Sequence, residues 1–295
     1  MSFILAGNIK EAEKLMPLQF DKQDLDFYHY LRILQCIIFY ENDLLELAEN
    51  EAENLKRHLG SFKENFEPLE EAVQMINELE PDYIFFTGDL VNEKYTEAEP
   101  WVNVFNKLKA KKDKFGILGN HDYGWGRDIT PEEKAYNSTG VAKLGEEMGF
   151  KMLLNDHTIL EHGGEKIGLI GVENWGYSPE GWFPTKGDYK KSVENMEEVP
   201  FKILLSHDPT HWDHKIIGKE NVDLTLAGHT HGGQMGIAIP GLFELSAAKF
   251  FYDRYAGAYK EGKQHLYVNR GLGFLIFPGR VGMAPEITLH TLNKA

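Results

Sequence analysis

Cysteine is almost missing from this chain of 295 residues: Cys36 is the only one. That excludes an intrachain disulfide framework and any thiolate cluster, so a bound metal would have to rest on His, Asp, Asn and Glu. Basic residues are also in deficit, with 31 Lys and Arg against 46 Asp and Glu and a formal charge of −15. No broad basic face is available, which argues against nucleic acid as a partner. An acidic protein can still handle phosphate esters, provided that bound metal ions supply positive charge locally. Long apolar runs are missing too. The best candidates, Ile33–Tyr40 and Phe274–Pro278, fall well short of the roughly 18–20 residues of a spanning helix. Met1 is followed by no basic region before an apolar core, so no secretory signal is read. The expectation is a cytoplasmic or peripherally membrane-associated protein. There is no repeat and no low-complexity tract.

What is present reads as an ordinary globular chain, 42% hydrophobic and 26% charged, long enough for one large domain or two small ones. Residues 1–57 are the least readable, with a short strand at Leu31–Gln35 and a helical pattern from Asn42 to Gly60. From Ser61 the order is clear. Leu69, Ala72, Val73, Ile76 and Leu79 form one apolar helical stripe that Pro81 ends, and Tyr83–Thr87 is a buried strand. A second helix is read from about Pro100 to Leu108, then a strand at Phe115–Leu118. Thr130–Glu133 is a capping box, and the helix behind it reads as interrupted near Asn137–Gly140. Strands follow at Phe150–Leu154, Thr158–Glu161 and Lys166–Val172, the last two joined by a hairpin at His162–Glu165. A short helix is read from Asp188, with strands at Lys202–Leu205 and Asp223–Ala227. Leu266–Asn269, Phe274–Phe277 and Glu286–Leu292 complete a strand-and-turn C-terminal quarter. Strands alternating with helices give an α/β class.

Four of these strands run into polar clusters: Asp89, Asn120-His121, His207-Asp208 and His229-Thr-His231. In α/β folds ligands gather beyond the carboxyl ends of strands, so four such ends point to one shared site. His229 and His231 alternate along what reads as extended chain, which would turn both rings to one side. Taken singly, each cluster has a plainer reading: His-x-His as a polar turn, Gly-Asp as a turn, Asn120 as a cap, His207 as a core histidine. Their joint occurrence favours metal. An Asp, Asn and His donor set without Cys suits manganese, iron or zinc. A carboxylate such as Asp89 has two oxygens and can bridge two ions, which about 3.5–4 Å apart would clamp a phosphate for in-line attack.

Gly88-Asp89 with Asn92, Gly119-Asn-His-Asp122, His207 and Gly228-His-Thr-His231 resemble the motifs of the calcineurin-like metallophosphoesterases. The spacing, with Tyr267-Val-Asn-Arg-Gly271 and Phe277-Pro-Gly-Arg280, resembles the bacterial membrane-associated phosphohydrolase subgroup. The resemblance covers residues 58–295, leaving 1–57 as a divergent N-terminal segment. It implies a four-layer αββα sandwich, two mixed sheets face to face with helices outside. It also implies a hydrolase that cleaves phosphomono- or phosphodiesters, of small molecules or lipids, with a metal-activated hydroxide at a dinuclear centre. Residue by residue, Asp89 resembles the bridging ligand; Asn120, His207 and His229 complete one metal position; His231 belongs to the other. His121 resembles the catalytic residue that contacts phosphate and protonates the leaving group, with Asp122, Asn92 and Asp208 as supports.

One motif departs from the family. His58 fits the histidine half of its first motif, Asp-x-His, but Lys56 stands at the aspartate position. An ammonium beside a dication is repulsive, so Lys56 cannot act as a ligand. His58 also falls on the helical pattern, where a helix-end histidine is equally natural. The alternative reading is therefore a member impaired in catalysis that binds metal and serves a regulatory role, with the second position weak. Arg270 and Arg280 could clamp a phosphate, or simply be surface arginines. Trp125, Trp175, Tyr177, Trp182 and Phe183 could line an organic or lipid pocket, or anchor their loops. His211 and His214 read as a surface turn.

Overall fold

The computed structural model describes residues 67–124, 129–162, 164–176, 184–239, 243–275 and 279–293. The strand read at Leu31–Gln35, the helix read at 42–60, Lys56 and His58 lie outside them. The chain divides into two compact units, one of Met1–Phe66 with Ile276–Gly282 and the other of Glu67–Leu275 with Met283–Ala295. Every element below belongs to the second.

Two sheets form its centre. In the smaller, β1 (Tyr83–Phe86), β2 (Asp113–Gly116) and β3 (Phe150–Met152) lie in that order and are all parallel. The larger has the order β10-β11-β7-β6-β5-β4. Its members are β4 (Asp156–His162), β5 (Glu165–Gly171), β6 (Phe201–Leu205), β7 (Leu224–Ala227), β10 (Gly257–Glu261) and β11 (Gln264–Val268). Its four central strands are parallel and its edge strands, β4 and β10, antiparallel. A separate hairpin pairs β8 (Gly236–Ile239) with β9 (Phe243–Ser246).

The period-two alternation of strand side chains divides the apolar residues among three cores. Tyr83, Phe85 and Phe115 from the small sheet meet Leu169, Ile203, Leu205 and Leu226 from the large one, so the sheets pack face to face. Ile84 and Phe86 turn the other way, onto α1 (Glu67–Glu78), α2 (Val102–Phe105) and α3 (Pro131–Glu147). Ile170 and Leu204 on the far face of the large sheet pack with Trp212 and Ile216 of a single π turn, and with Tyr189 of the short α4 (Tyr189–Ser192). These are the four layers of an α/β sandwich.

Three readings of the sequence need correction. The helix expected from Pro100 to Leu108 is one turn, Val102–Phe105, preceded by two 3-10 turns. By contrast α3 runs unbroken through Asn137 and Gly140, because both residues serve contacts to its neighbours. Asn137 Oδ1 accepts from Tyr95 N at 2.7 Å and its Nδ2 donates to the Asp122 carbonyl at 3.0 Å, while Gly140 lies against the Tyr95 ring. Residues 286–292, and the described part of 274–277, form no strand; there Glu286 is held by Tyr267 and Arg270 instead of a ladder.

Candidate metal centre

The site lies where β1, β2, β6 and β7 end, and it exists because the turns beyond these strands approach one another closely. Beyond β1 the chain enters left-handed backbone at Gly88 (φ 95°) and Asp89 (φ 58°). A Cβ on Gly88 would stand 2.4 Å from Gly119 N, and one on Gly119 would stand 2.2 Å from Asp89 Oδ1 and 2.7 Å from His207 Cε1. Only glycine fits both positions. Buried Asp122 clamps the two turns together. Its Oδ2 accepts from Gly119 N at 2.8 Å and Asp89 N at 2.9 Å, and its Oδ1 from Leu90 N at 2.8 Å. Burial, and then the charge of Asp89, raise the Asp122 carboxyl, opposed by the amides of Gly119 and Leu90. Several N–H donors and no acceptor suit the carboxylate form.

Four lone-pair atoms converge beyond this clamp. His207 Nδ1 lies 2.7 Å from the Thr87 carbonyl, which can only accept, so in the neutral ring Nε2 offers its lone pair inward. Around that nitrogen stand Asp89 Oδ2 at 3.0 Å, Asn120 Oδ1 at 3.1 Å and His229 Nδ1 at 3.2 Å. Asp89, His207 and His229 each offer a donor atom within 4.8 Å of the others. Asp89 Oδ2 receives no well-directed hydrogen bond, and Asn120 Nδ2 is buried with no partner. Converging acceptors of this kind need a cation or a proton between them. Where a proton serves, burial lowers His207 but Asp89 outweighs it and lifts the imidazole to about 9. Burial likewise raises Asp89, yet His207 holds its carboxyl well below the usual carboxylate range. A divalent ion relieves the same convergence without protonating a ligand. Two nitrogens and two oxygens, with no sulfur, fit such an ion. The outward nitrogens are held as ligand histidines require, His207 Nδ1 on a backbone carbonyl and His229 Nε2 on Tyr252 Oη at 2.8 Å.

The remaining candidates divide. His121 is buried beside the four; its N donates to Asp89 Oδ1 at 2.9 Å and its Nδ1 meets the Asn92 carbonyl at 2.7 Å. His231 opens a 3-10 turn, His231–Gly233, and is not in the Asp89, His207 and His229 group. The alternation expected of His229 and His231 does not hold. Both lie past β7 in left-handed backbone, at φ 68° and 51°, so the turn aims their rings and not a pleat. Arg270 is tied to Glu286, Nε to Oε2 at 3.0 Å, with its aliphatic stem against Gly232; Arg280 falls in the other unit. Trp175 packs on His211 with ring centres 4.9 Å apart, and Trp125, Tyr177, Trp182 and Phe183 lie outside the described residues. His211 is no surface residue. It is buried, with Nδ1 2.8 Å from Ser206 Oγ, whereas His214 is exposed. Asp208 faces His229 Nε2 at 3.5 Å and uses Oδ1 to accept from Thr210. Sequence reasoning missed Tyr252, which stands in no motif, and the Thr87 carbonyl, which no side-chain pattern can reveal.

Residues 58–233 match the calcineurin-like phosphoesterase family. The chain is 31% identical over 241 residues to the uncharacterized metallophosphoesterase YkuE of Bacillus subtilis, covering 80% of this chain and 76% of that protein. It is 26% identical over 227 residues to the phosphodiesterase YaeI of Escherichia coli, covering 76% and 75%. A third relative, the transmembrane protein with metallophosphoesterase domain of Danio rerio, is 27% identical over 233 residues; the match takes in 77% of this chain and 49% of that protein.

Proposed function

Because the chain belongs to the calcineurin-like phosphoesterase family, we propose that it hydrolyses phosphate esters at a metal centre held by Asp89, Asn120, His207 and His229. The observation that carries this reading is the convergence of those four lone-pair atoms at the ends of β1, β2, β6 and β7. Manganese, iron and zinc all suit the donor set. Such an ion, when bound, polarises a phosphate oxygen and makes water a stronger nucleophile.

The chain's own residues do the rest. The Asp122 clamp fixes Asp89 and Asn120 in place, so little reorganisation accompanies binding. His121, fixed at Nδ1 by the Asn92 carbonyl, acts as the general acid that passes a proton to the leaving oxygen. His231 serves a second metal position, and Arg270 meets the phosphate. Phosphodiesters are the preferred class, in keeping with the name of the Escherichia coli relative. An amphiphilic ester is favoured by Phe250 and Phe251, 83% and 81% exposed, which directly precede the Tyr252 that touches His229. The same pair is suited to peripheral contact with a bilayer. Among the described residues no helix is long and apolar enough to cross a membrane.

Hydrolysis of bis-p-nitrophenyl phosphate with added manganese tests the reading. Turnover should depend on the metal and fall at least 100-fold in Asn120→Ala; equal rates in the two proteins would reject it. Lys56 supports a second reading, a member impaired in catalysis that still binds metal. Tight manganese binding without turnover on mono- or diesters would favour that one.

A further inference from the structure

We propose that Tyr252 and Asp208 are positioning residues that decide which ring nitrogen of His229 carries hydrogen, and so turn its Nδ1 lone pair toward the metal centre. The inference rests on the metal reading above and extends it to Tyr252, which no motif marks, and to a defined task for Asp208.

His229 needs such help because the strand does not hold it: β7 ends at Ala227 and His229 sits at φ 68°. Its ring is placed instead by contacts at both nitrogens. Nδ1 is 3.2 Å from His207 Nε2, on the side of Asp89 and Asn120. Nε2 is 2.8 Å from Tyr252 Oη and 3.5 Å from Asp208 Oδ2. A neutral imidazole carries one hydrogen, and a carboxylate can only accept. With Asp208 and the tyrosine oxygen both on the Nε2 side, the hydrogen belongs there, and Nδ1 keeps its lone pair. The opposite tautomer would aim an N–H at His207 Nε2, where a cation has to sit.

Tyr252 is itself fixed by the turn that leads to it. Its N donates to the Ala248 carbonyl at 2.9 Å, the same oxygen that accepts from Phe251 N to close the 3-10 turn Ala247–Phe250. Ser246 Oγ caps that turn by accepting from Ala248 N at 3.1 Å and donates to the Gly232 carbonyl. The Tyr252 segment is thus tied to the His231–Gly233 turn, and the hydroxyl reaches His229 from an anchored backbone. Asp208 is held from its other oxygen by Thr210 N at 2.8 Å and Thr210 Oγ1 at 2.7 Å, which leaves Oδ2 for His229.

Nitrogen NMR of histidine-labelled full-length protein, with manganese titrated by calorimetry, tests this. In the metal-free wild type the His229 nitrogen shifts should report hydrogen on Nε2. Tyr252→Phe should weaken manganese binding about 10- to 100-fold, the usual cost of losing a partner that orients a ligand, at an unchanged melting temperature. Asp208→Asn should weaken it further, because a carboxamide can donate to Nε2 and drive the hydrogen onto Nδ1. A wild type with hydrogen on Nδ1 would overturn the inference whether or not the variants fold. So would Tyr252→Phe and Asp208→Asn proteins with wild-type affinity and shifts. A wild type with the Nε2 hydrogen that binds no manganese would count against the metal reading alone and leave the tautomer assignment supported.

Discussion

Two buried histidines, His207 and His211, stand four positions apart and illustrate opposite uses of burial. His207 meets Asp89 and is held in its charged form when no cation takes the place of the proton. His211 meets the Ser206 hydroxyl and the Trp175 ring, and burial takes its imidazole down to about 4. The unfolded chain binds that proton near pH 6.5, so stability from His211 is intact above about 6.5 and is lost as the pH falls toward 4. The difference is about 3 kcal/mol across that window. Urea unfolding at pH 7 and pH 4.5 should show most of that loss in the wild type and a smaller one in His211→Gln. At the same scale Gly119→Ala should abolish metal binding, since its methyl would occupy the space of Asp89 Oδ1 and His207 Cε1. Calorimetric titration with manganese checks this, and an unchanged affinity would show that the turn can yield.

The elements were largely legible. Tyr83–Phe86 and Phe201–Leu205 show their bulk and branching, and the Thr130 capping box announces α3. The ends of strands that carry polar residues pointed to the site, since parallel strands deliver all their carboxyl ends to one edge. What failed did so for tertiary reasons. Asn137 and Gly140 look like helix breakers by propensity, yet each answers to a neighbour that no local pattern contains. His229 and His231 alternate in sequence, but positive φ on both removes the premise of an extended chain. Tyr252 comes from a turn with no chemical pattern at all. Asn137→Ala should leave the Tyr95 N–H and the Asp122 carbonyl without partners, at a cost of about 1–3 kcal/mol each. A lower urea midpoint with an unchanged slope is the expected result. An unchanged midpoint would mean that water replaces the amide.

At the scale of the whole molecule, charge and apolar exposure act against each other. A net charge of −15 repels anionic lipid headgroups, while Phe250 and Phe251 present apolar surface beside the centre. Burying two phenylalanines is worth roughly 1.5–3 kcal/mol each at full depth, enough for a measurable interfacial affinity. Sedimentation with vesicles should therefore be stronger on phosphatidylcholine than on phosphatidylglycerol, and the double variant Phe250→Ser, Phe251→Ser should lose at least tenfold at an unchanged melting temperature. Equal sedimentation of the two proteins would remove the bilayer from the account. The central claim is that the strand ends of both sheets build one metal centre, and calorimetric titration of manganese into dialysed protein tests it most directly. The wild type should bind at least one ion tightly per chain, and Asp89→Asn and His229→Ala should each lose that binding. Binding that survives both substitutions, or a wild type that takes up no ion, would contradict it.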